Sequence, residues 1–281
     1  MREETTTVLK LGGELLEDAA ALAAMAGAVK ALAAQERVVI IHGGGRAIDA
    51  ELLGRGLEPR FIDGLRVTDA AALECVISVL AGRTNTALVA ALHAAGVQAV
   101  GLTGADAGLG LSSQSGPFTT QAGDVVDLGL VGQPVEAPMT LLQDLSALGY
   151  VPVIASIGVT TGGALLNVNA DTLAAHLAGA LRAQRLIIAG GTAGVLDQRG
   201  GTIGRLTVDD IDAMIAGGAA HSGMVAKLVA CRAAIAHGVN DVAIVPGRGV
   251  VDFTRAGGTK VTGTPAVDDG LTKAYEEADA R

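Results

Sequence analysis

The chain has 281 residues, half of them apolar and 17% charged, with a formal net charge of −9. That is enough apolar material for the core of one large domain or two fused lobes, and it excludes an intrinsically disordered chain. An acidic balance without a basic patch argues against a nucleic-acid partner, and the absence of an uninterrupted apolar run of about 18 residues argues against a membrane span.

TTVLKL reads as a strand, DAAALAAMAGAVKALAAQ as a helix and RVVIIH as a second strand. RAIDAELLGR is helical, TDAAALECVISVLAG and NTALVAALHAAG form a helical pair, and VQAVGLTG is a strand. From Asp106 to Pro138 come Gly, Ser and short alternating pieces such as DVVDLGLVGQPV, which predict β-hairpins forming a lid or rim. The alternation then resumes with VPVIASIG as a strand, ADTLAAHLAGALR as a helix and RLIIAGG as a strand. TVDDIDAMIAGG offers a Thr N-cap and acidic residues in its first turn, and GMVAKLVACRAAIAHG is a helix closed by Gly238. NDVAIVPG and TKVTG are late strands. Strands alternating with helices predict a parallel sheet covered on both faces, with a lobe boundary near residue 182. Cys75 and Cys231 lie far apart in apolar, helical contexts and read as reduced core residues. There is no Cys/His cluster of zinc spacing, and MREETTTVLK carries no apolar signal segment, so a cytoplasmic setting is expected.

Three strand ends break into glycine: KLGG at 10–13, HGGG at 42–45 and AGG at 189–191. At the carboxyl ends of parallel strands, glycines let a phosphate approach backbone N–H groups, and a following helix adds partial positive charge. The chain uses fifteen arginines and only five lysines, so Lys10, beside a glycine pair and inside an apolar strand, needs a specific reason. No G-x-x-x-x-G-K-[ST] loop and no complete dinucleotide fingerprint is present. HGGG also serves as an oxyanion-hole motif in esterases, but the G-x-S-x-G elbow of that class is missing.

Other polar residues stand in apolar surroundings. Arg66 in GLRVTD, before a helix cap at Thr68 or Asp69, is either a two-point grip for a carboxylate or a surface loop arginine. In LLNVNAD, an extended backbone would turn Asn167, Asn169 and Asp171 to one side as a recognition surface; the alternative is an Asp serving as helix N-cap. Lys227 near a helix N-terminus is unfavourable unless an anion is bound there; the alternative is a solvated helix lysine.

Taken together, KLGG, HGGG, DGLRVTD, LAGRTN, SIGVTTGGALLNVNAD, the GVLD after AGGTA, and SGMVAK make the chain resemble the amino acid kinase family over nearly its whole length. DGLRVT and NVNAD at this separation resemble its acetylglutamate branch. The resemblance implies an α/β fold, an open and mainly parallel αβα sandwich in two lobes. Residues 1–182 would bind N-acetyl-L-glutamate and carry dimerisation, and residues 183–281 would bind ATP. The implied reaction is phosphorylation of the γ-carboxylate, the second step of arginine biosynthesis, with Mg²⁺ carried mainly by the nucleotide and no metal site of the protein's own. Lys10 and Lys227 would be catalytic, with Asp171 orienting them. Gly12, Gly13 and Gly44 would meet the phosphoryl group, and Gly44, Gly45, Arg66, Asn167 and Asn169 the acetylglutamate. Gly191, Thr192, Gly194, Gly223 and Met224 would meet the nucleotide. A carboxylate acceptor is already nucleophilic at neutral pH and needs no general base, so positive charge and positioning are the main catalytic requirements.

The chain departs from the family where Gly190-Gly191 replaces a Ser-Asp or Thr-Asp, where Asn85-Thr86 replaces Asn-Lys, and where Ser222-Gly223-Met224 replaces Gly-Gly-Met. The first departure bears on ATP contacts. The short segment before the first strand implies an arginine-insensitive homodimer. Two alternatives remain open from sequence: a kinase of a longer acyl-amino acid such as an aminoadipate derivative, and a non-catalytic sensor of acetylglutamate or arginine.

Overall fold

A computed structural model describes residues 5–120, 123–220 and 222–263; the remainder of the expected second lobe, 264–281, lies outside the described residues. Strand β1 (Thr6–Leu11) pairs in parallel with β2 (Arg37–His42) on one side and β13 (Arg185–Gly190) on the other. Outward from β2 come β10 (Val151–Ala155) and β5 (Ala99–Thr103), both parallel. Outward from β13 come β15 (Asp241–Pro246), parallel, then β16 (Thr259–Thr262), antiparallel, and β14 (Arg205–Thr207), parallel to β16. The eight-stranded sheet is therefore mainly parallel.

Side chains alternate across a strand, so each central strand feeds two cores. Val8, Ile41, Ile154, Leu186 and Ile188 pack on one face with Leu173 and Leu177 of α6 (Ala170–Ala180) and Leu228 and Cys231 of α8 (Ser222–Ala236). Leu9, Leu11, Ile40, Val153 and Ile187 pack on the other with Val29 and Leu32 of α1 (Ala19–Ala33) and Leu88 and Leu92 of α4 (Asn85–Ala94). A third cluster holds α2 (Gly45–Gly54) and α3 (Ala70–Ile77) over Ala155 and Ile157. This is the expected αβα layering. Cys75 and Cys231 are buried, free thiols, and burial pushes that of Cys231 up.

Two local expectations are corrected. The helical pair is one continuous helix, Ala70–Ala94, with a π-helical stretch at Ser78–Thr84 in place of a break. By length and composition alone it is apolar enough to cross a membrane, unlike any other helix among the described residues. Val76, Val79, Leu88 and Leu92 are buried in the fold, while Glu74, Arg83 and His93 face out. Second, VPVIASIG is two strands. The chain leaves the main sheet at Ser156 and enters β11 (Ile157–Val159) of a smaller sheet with β12 (Leu165–Val168), β9 (Val131–Pro134) and β6 (Ser112–Gln114). Strands β6 and β9 and the hairpin of β7 (Phe118–Thr119) and β8 (Val125–Val126) are the β-structure expected between Asp106 and Pro138, and β11 and β12 join it from beyond that stretch.

Candidate active site

Alternation explains the lysine in β1. Lys10 shares the face of Val8 and so points towards α6 and α8, where Asp171 and Lys227 reside. Lys10 Nζ lies 2.8 Å from Asp171 Oδ1, at ion-pair distance without good hydrogen-bond alignment, and Lys227 Nζ donates to Asp171 Oδ2 at 3.2 Å. Burial by itself would push the Asp171 carboxyl up; the two ammonium groups outweigh it and hold the carboxyl below its ordinary value. Asp171 sits in the first turn of α6, where the helix N-terminus also favours a carboxylate.

The cap of that helix corrects the reading of LLNVNAD. The strand ends at Val168 and the helix begins at Ala170, so the three polar residues do not lie on one strand, although all three line one cavity. Asn169 is the N-cap, its Oδ1 accepting from the N–H groups of Asp171 and Thr172 at 2.9 and 3.1 Å. Asp171 is not the cap, and Asn167 is the residue left on the strand.

Gly13 and Gly44 bring the first two glycine turns together. A Cβ on Gly13 would lie 2.6 Å from Gly44 Cα, so only bare backbone fits there, and one on Gly44 would lie 2.8 Å from Leu80 Cδ2, which would have to give way. The N–H groups of Gly13, Gly44 and Gly45 have no acceptor among the described residues. Gly44 is the N-cap of α2, and these donors open on a cavity of about 240 Å³ lined by Lys10, Gly13, Glu14, Gly43, Gly44, Gly45, Arg66, Asn167, Asn169 and Asp171. Gly12 lies just behind it, its N–H spent on Ala189 O at 2.9 Å.

Arg66, on the short hairpin of β3 (Phe61–Ile62) and β4 (Leu65–Arg66), lines the same cavity. Its Nη2 donates to Asp49 Oδ1 at 2.7 Å and to Gly45 O at 3.2 Å, and its guanidinium stacks 4.6 Å from the Phe61 ring centre. Nη1 is buried without a partner, so this is no surface loop arginine. The Thr68 hydroxyl donates to Arg66 O at 3.3 Å and its oxygen accepts from Asn167 Nδ2 at 3.0 Å, which leaves Asn167 Oδ1 as an acceptor.

The expected nucleotide residues do not line this cavity. Gly191 and Thr192 are exposed just after β13, and the Gly191 N–H is taken by Glu14 Oε1 at 2.7 Å. Gly194 is buried with φ +126°, where a Cβ would meet Thr259, so packing alone accounts for it. Gly223 is exposed and Met224 packs partly into the core beneath α8. Sequence reasoning missed Asp49 and Glu14, whose partners lie 17 and 177 residues away and which belong to no motif, and it read Thr68 of DGLRVTD only as a cap candidate, whereas Asp69 is the cap and Thr68 pairs with Asn167, 99 residues away.

A dense positive charge thus stands over bare backbone donors at the carboxyl end of a mainly parallel sheet, facing a guanidinium with an unpartnered N–H. The chain belongs to the amino acid kinase family, which residues 5–246 match. It is 40% identical over 250 residues to a Symbiobacterium thermophilum protein named acetylglutamate kinase, spanning 86% of this chain and 84% of that one. Among solved structures it resembles a protein of Streptococcus mutans UA159, with 25% identity, a TM-score of 0.78, and coverage of 92% of this chain and 98% of that one. It also resembles an N-acetylglutamate synthase from Neisseria gonorrhoeae complexed with coenzyme A and N-acetyl-glutamate, with 25% identity and a TM-score of 0.78. That match covers 92% of this chain and 59% of the synthase.

Proposed function

We propose that the chain transfers the γ-phosphoryl group of MgATP to the γ-carboxylate of N-acetyl-L-glutamate. A carboxylate oxygen forms a bond to the γ-phosphorus as the bond to the bridging oxygen breaks. The products are ADP and an acyl phosphate, with no net proton transfer. The observation that carries this reading is the Lys10–Asp171–Lys227 cluster, which shares one end of the sheet with the free Nη1 of Arg66.

In this reading Lys10 and Lys227 neutralise the oxygens of the transferring group, and Asp171 fixes their direction. Gly13 and Gly44 supply backbone N–H groups to the same oxygens. Arg66 Nη1 and Gly45 N–H hold the α-carboxylate, and Asn167 Oδ1 accepts from the substrate amide. Both Asp171 oxygens face lysines, and among the described residues no group of three or more His, Cys, Asp or Glu side chains forms a metal-binding cluster. Mg²⁺ would arrive with the nucleotide, held by its phosphates and water. The bare strand end at Gly190-Gly191 leads the nucleotide in beside Thr192, Gly223 and Met224. Residues 1–182 form the acetylglutamate lobe and the contact of a homodimer, residues 183–281 form the ATP lobe, and the enzyme works in the cytoplasm.

Release of ADP from MgATP, followed with N-acetyl-L-glutamate and with N-acetyl-aminoadipate as acceptors, tests this reading. Turnover of the shorter acceptor at the higher kcat/KM is expected, and it should stop when Mg²⁺ is chelated. Turnover of the longer acceptor alone would overturn it.

A further inference from the structure

His42 is the first residue of HGGG and the last of β2, completely buried. It shares the face of Ile40 and so points away from Lys10, towards α4. Its Nε2 lies 3.1 Å from Asn85 Nδ2, and its Nδ1 lies 3.2 Å from Gly43 O.

The donors and acceptors here can be assigned in one way. Asn85 Nδ2 also lies 2.9 Å from Val153 O and 3.4 Å from Leu102 O, and carbonyl oxygens only accept, so this atom is the amide nitrogen. With Asn85 donating, His42 Nε2 must be the unprotonated acceptor, and the ring proton sits on Nδ1. Nδ1–H then donates to Gly43 O. In a trans peptide the carbonyl and the following N–H point in opposite directions. Holding Gly43 O on the α4 face therefore turns the Gly44 N–H to the other face, where Lys10 and Asp171 lie.

The π-helical stretch supports the same peptide from below. A Cβ on Gly44 would stand 2.8 Å from Leu80 Cδ2, which would have to shift, and 3.7 Å from Thr84 Oγ1, so the stretch packs directly against this peptide. Asn85 follows directly at the end of the stretch. A Cβ on Gly101 would collide with Asn85 Oδ1, so β5 is bare where the amide rests. A π-turn re-aims the side chains after it, and such turns often sit at functional sites. Burial pushes the His42 pKa down to about 4 against the bond to Gly43, so the ring is neutral near pH 7 and keeps a single proton to place.

We propose that His42, held in its Nδ1–H tautomer by Asn85, is a positioning residue that pins the Gly43 carbonyl and thereby aims the Gly44 N–H at the transferring phosphoryl group. This rests on the reading of Gly44 as a phosphoryl-group donor. Two substitutions separate pinning from mere core filling. In His42→Asn the amide nitrogen stands near the place of Nδ1 and can still donate to Gly43 O. In His42→Gln the amide reaches the place of Nε2, satisfying Asn85 while leaving Gly43 O free.

Kinetics and thermal unfolding of both variants should be read together with the ¹⁵N shifts of the His42 ring in the unsubstituted enzyme. The ring is expected to show a protonated Nδ1 and an unprotonated Nε2. His42→Asn should keep kcat within about threefold, and His42→Gln should lose roughly 10- to 100-fold in kcat with little change in the KM for acetylglutamate, below the roughly 10²- to 10³-fold of a deleted transition-state donor because the Gly44 N–H is misaimed and not removed. A protonated Nε2, or a His42→Gln variant as active as His42→Asn, would overturn the proposal. The ring shifts need no folded variant, and they report on the tautomer even if the unsubstituted enzyme fails to turn over acetylglutamate. In that event it is the proposed reaction that falls.

Discussion

Two polar clusters lie back to back at the carboxyl end of the sheet, on opposite faces of neighbouring strands. Behind β2, His42 and Asn85 are neutral, and each of their nitrogens has a partner inside the protein. Over β1, Lys10, Lys227 and Asp171 set two ammonium groups against one carboxylate. The first cluster is complete as it stands. The second carries an uncompensated positive charge beside open backbone donors, and an anion would complete it. Buried polar groups that are fully matched specify backbone geometry, whereas those left with a surplus mark where a ligand belongs.

Removing charge from the open cluster should separate catalysis from folding. Lys10→Met deletes one of two like charges around Asp171 and leaves an ion pair between Asp171 and Lys227. A loss of about 10³-fold or more in kcat is expected, roughly 4 kcal/mol of transition-state stabilisation, with a melting temperature close to that of the unsubstituted enzyme. Steady-state kinetics and calorimetry on the same preparation check both halves. Full activity in Lys10→Met would refute the catalytic role.

Asp171→Asn should do the reverse to the fold. It strands two ammonium groups whose side chains are 7% and 18% exposed, and leaving buried charges unpaired costs about 3 kcal/mol or more. Urea denaturation should show that loss, and a dense anion such as the nucleotide polyphosphate should restore part of it by supplying the missing negative charge. No restoration by anions would mean that the surplus charge does not face the ligand space.

These two clusters were not equally readable in the sequence. Lys10 stood out because a lysine in an apolar strand breaks the local pattern, and KLGG, NVNAD and SGMVAK named its partners. His42 and Asn85 lay in the quoted motifs HGGG and LAGRTN, yet a neutral histidine on an apolar face resembles ordinary core packing. Only the register of β2 against β10 and the π-turn before α4 bring the two together. The strand-helix alternation was readable because its period is local. The bend at Ser156 and the capping role of Asn169 were not, since tertiary pairing and helix capping decide them.

Acid should act on the two clusters in sequence. The folded His42 pKa of about 4 lies below its unfolded value near 6.5, so the unfolded state binds the extra proton between those limits. The stabilisation from keeping the ring neutral is whole above pH 6.5 and is lost as pH falls towards 4, by at most about 3 kcal/mol. Asp171, depressed below its ordinary value, adds a further loss only at lower pH, as pH falls through its folded value. His176 is also depressed, by burial and by His237, and shares the upper window. Stability measured from pH 7 to 4 should therefore fall less steeply in His42→Asn than in the unsubstituted chain. Equal slopes would show that His42 is not held neutral.

Arg66 combines both behaviours in one side chain and gives the finest test of the contrast. Nη2 is matched inside the protein by Asp49 and Gly45, whereas Nη1 is buried and unmatched. By the rule drawn from the two clusters, Nη2 would set geometry and Nη1 would take the α-carboxylate of the proposed acceptor. Lysine keeps the charge and can still reach Asp49, but it lacks the planar fork that addresses two partners at once. Arg66→Lys should therefore fold normally and raise the KM for acetylglutamate about tenfold, near 1.4 kcal/mol, while the KM for ATP and kcat change little. A fall in kcat at constant KM would place Arg66 with the groups that act on the transition state. An unchanged KM would show that the free Nη1 does not hold the acceptor.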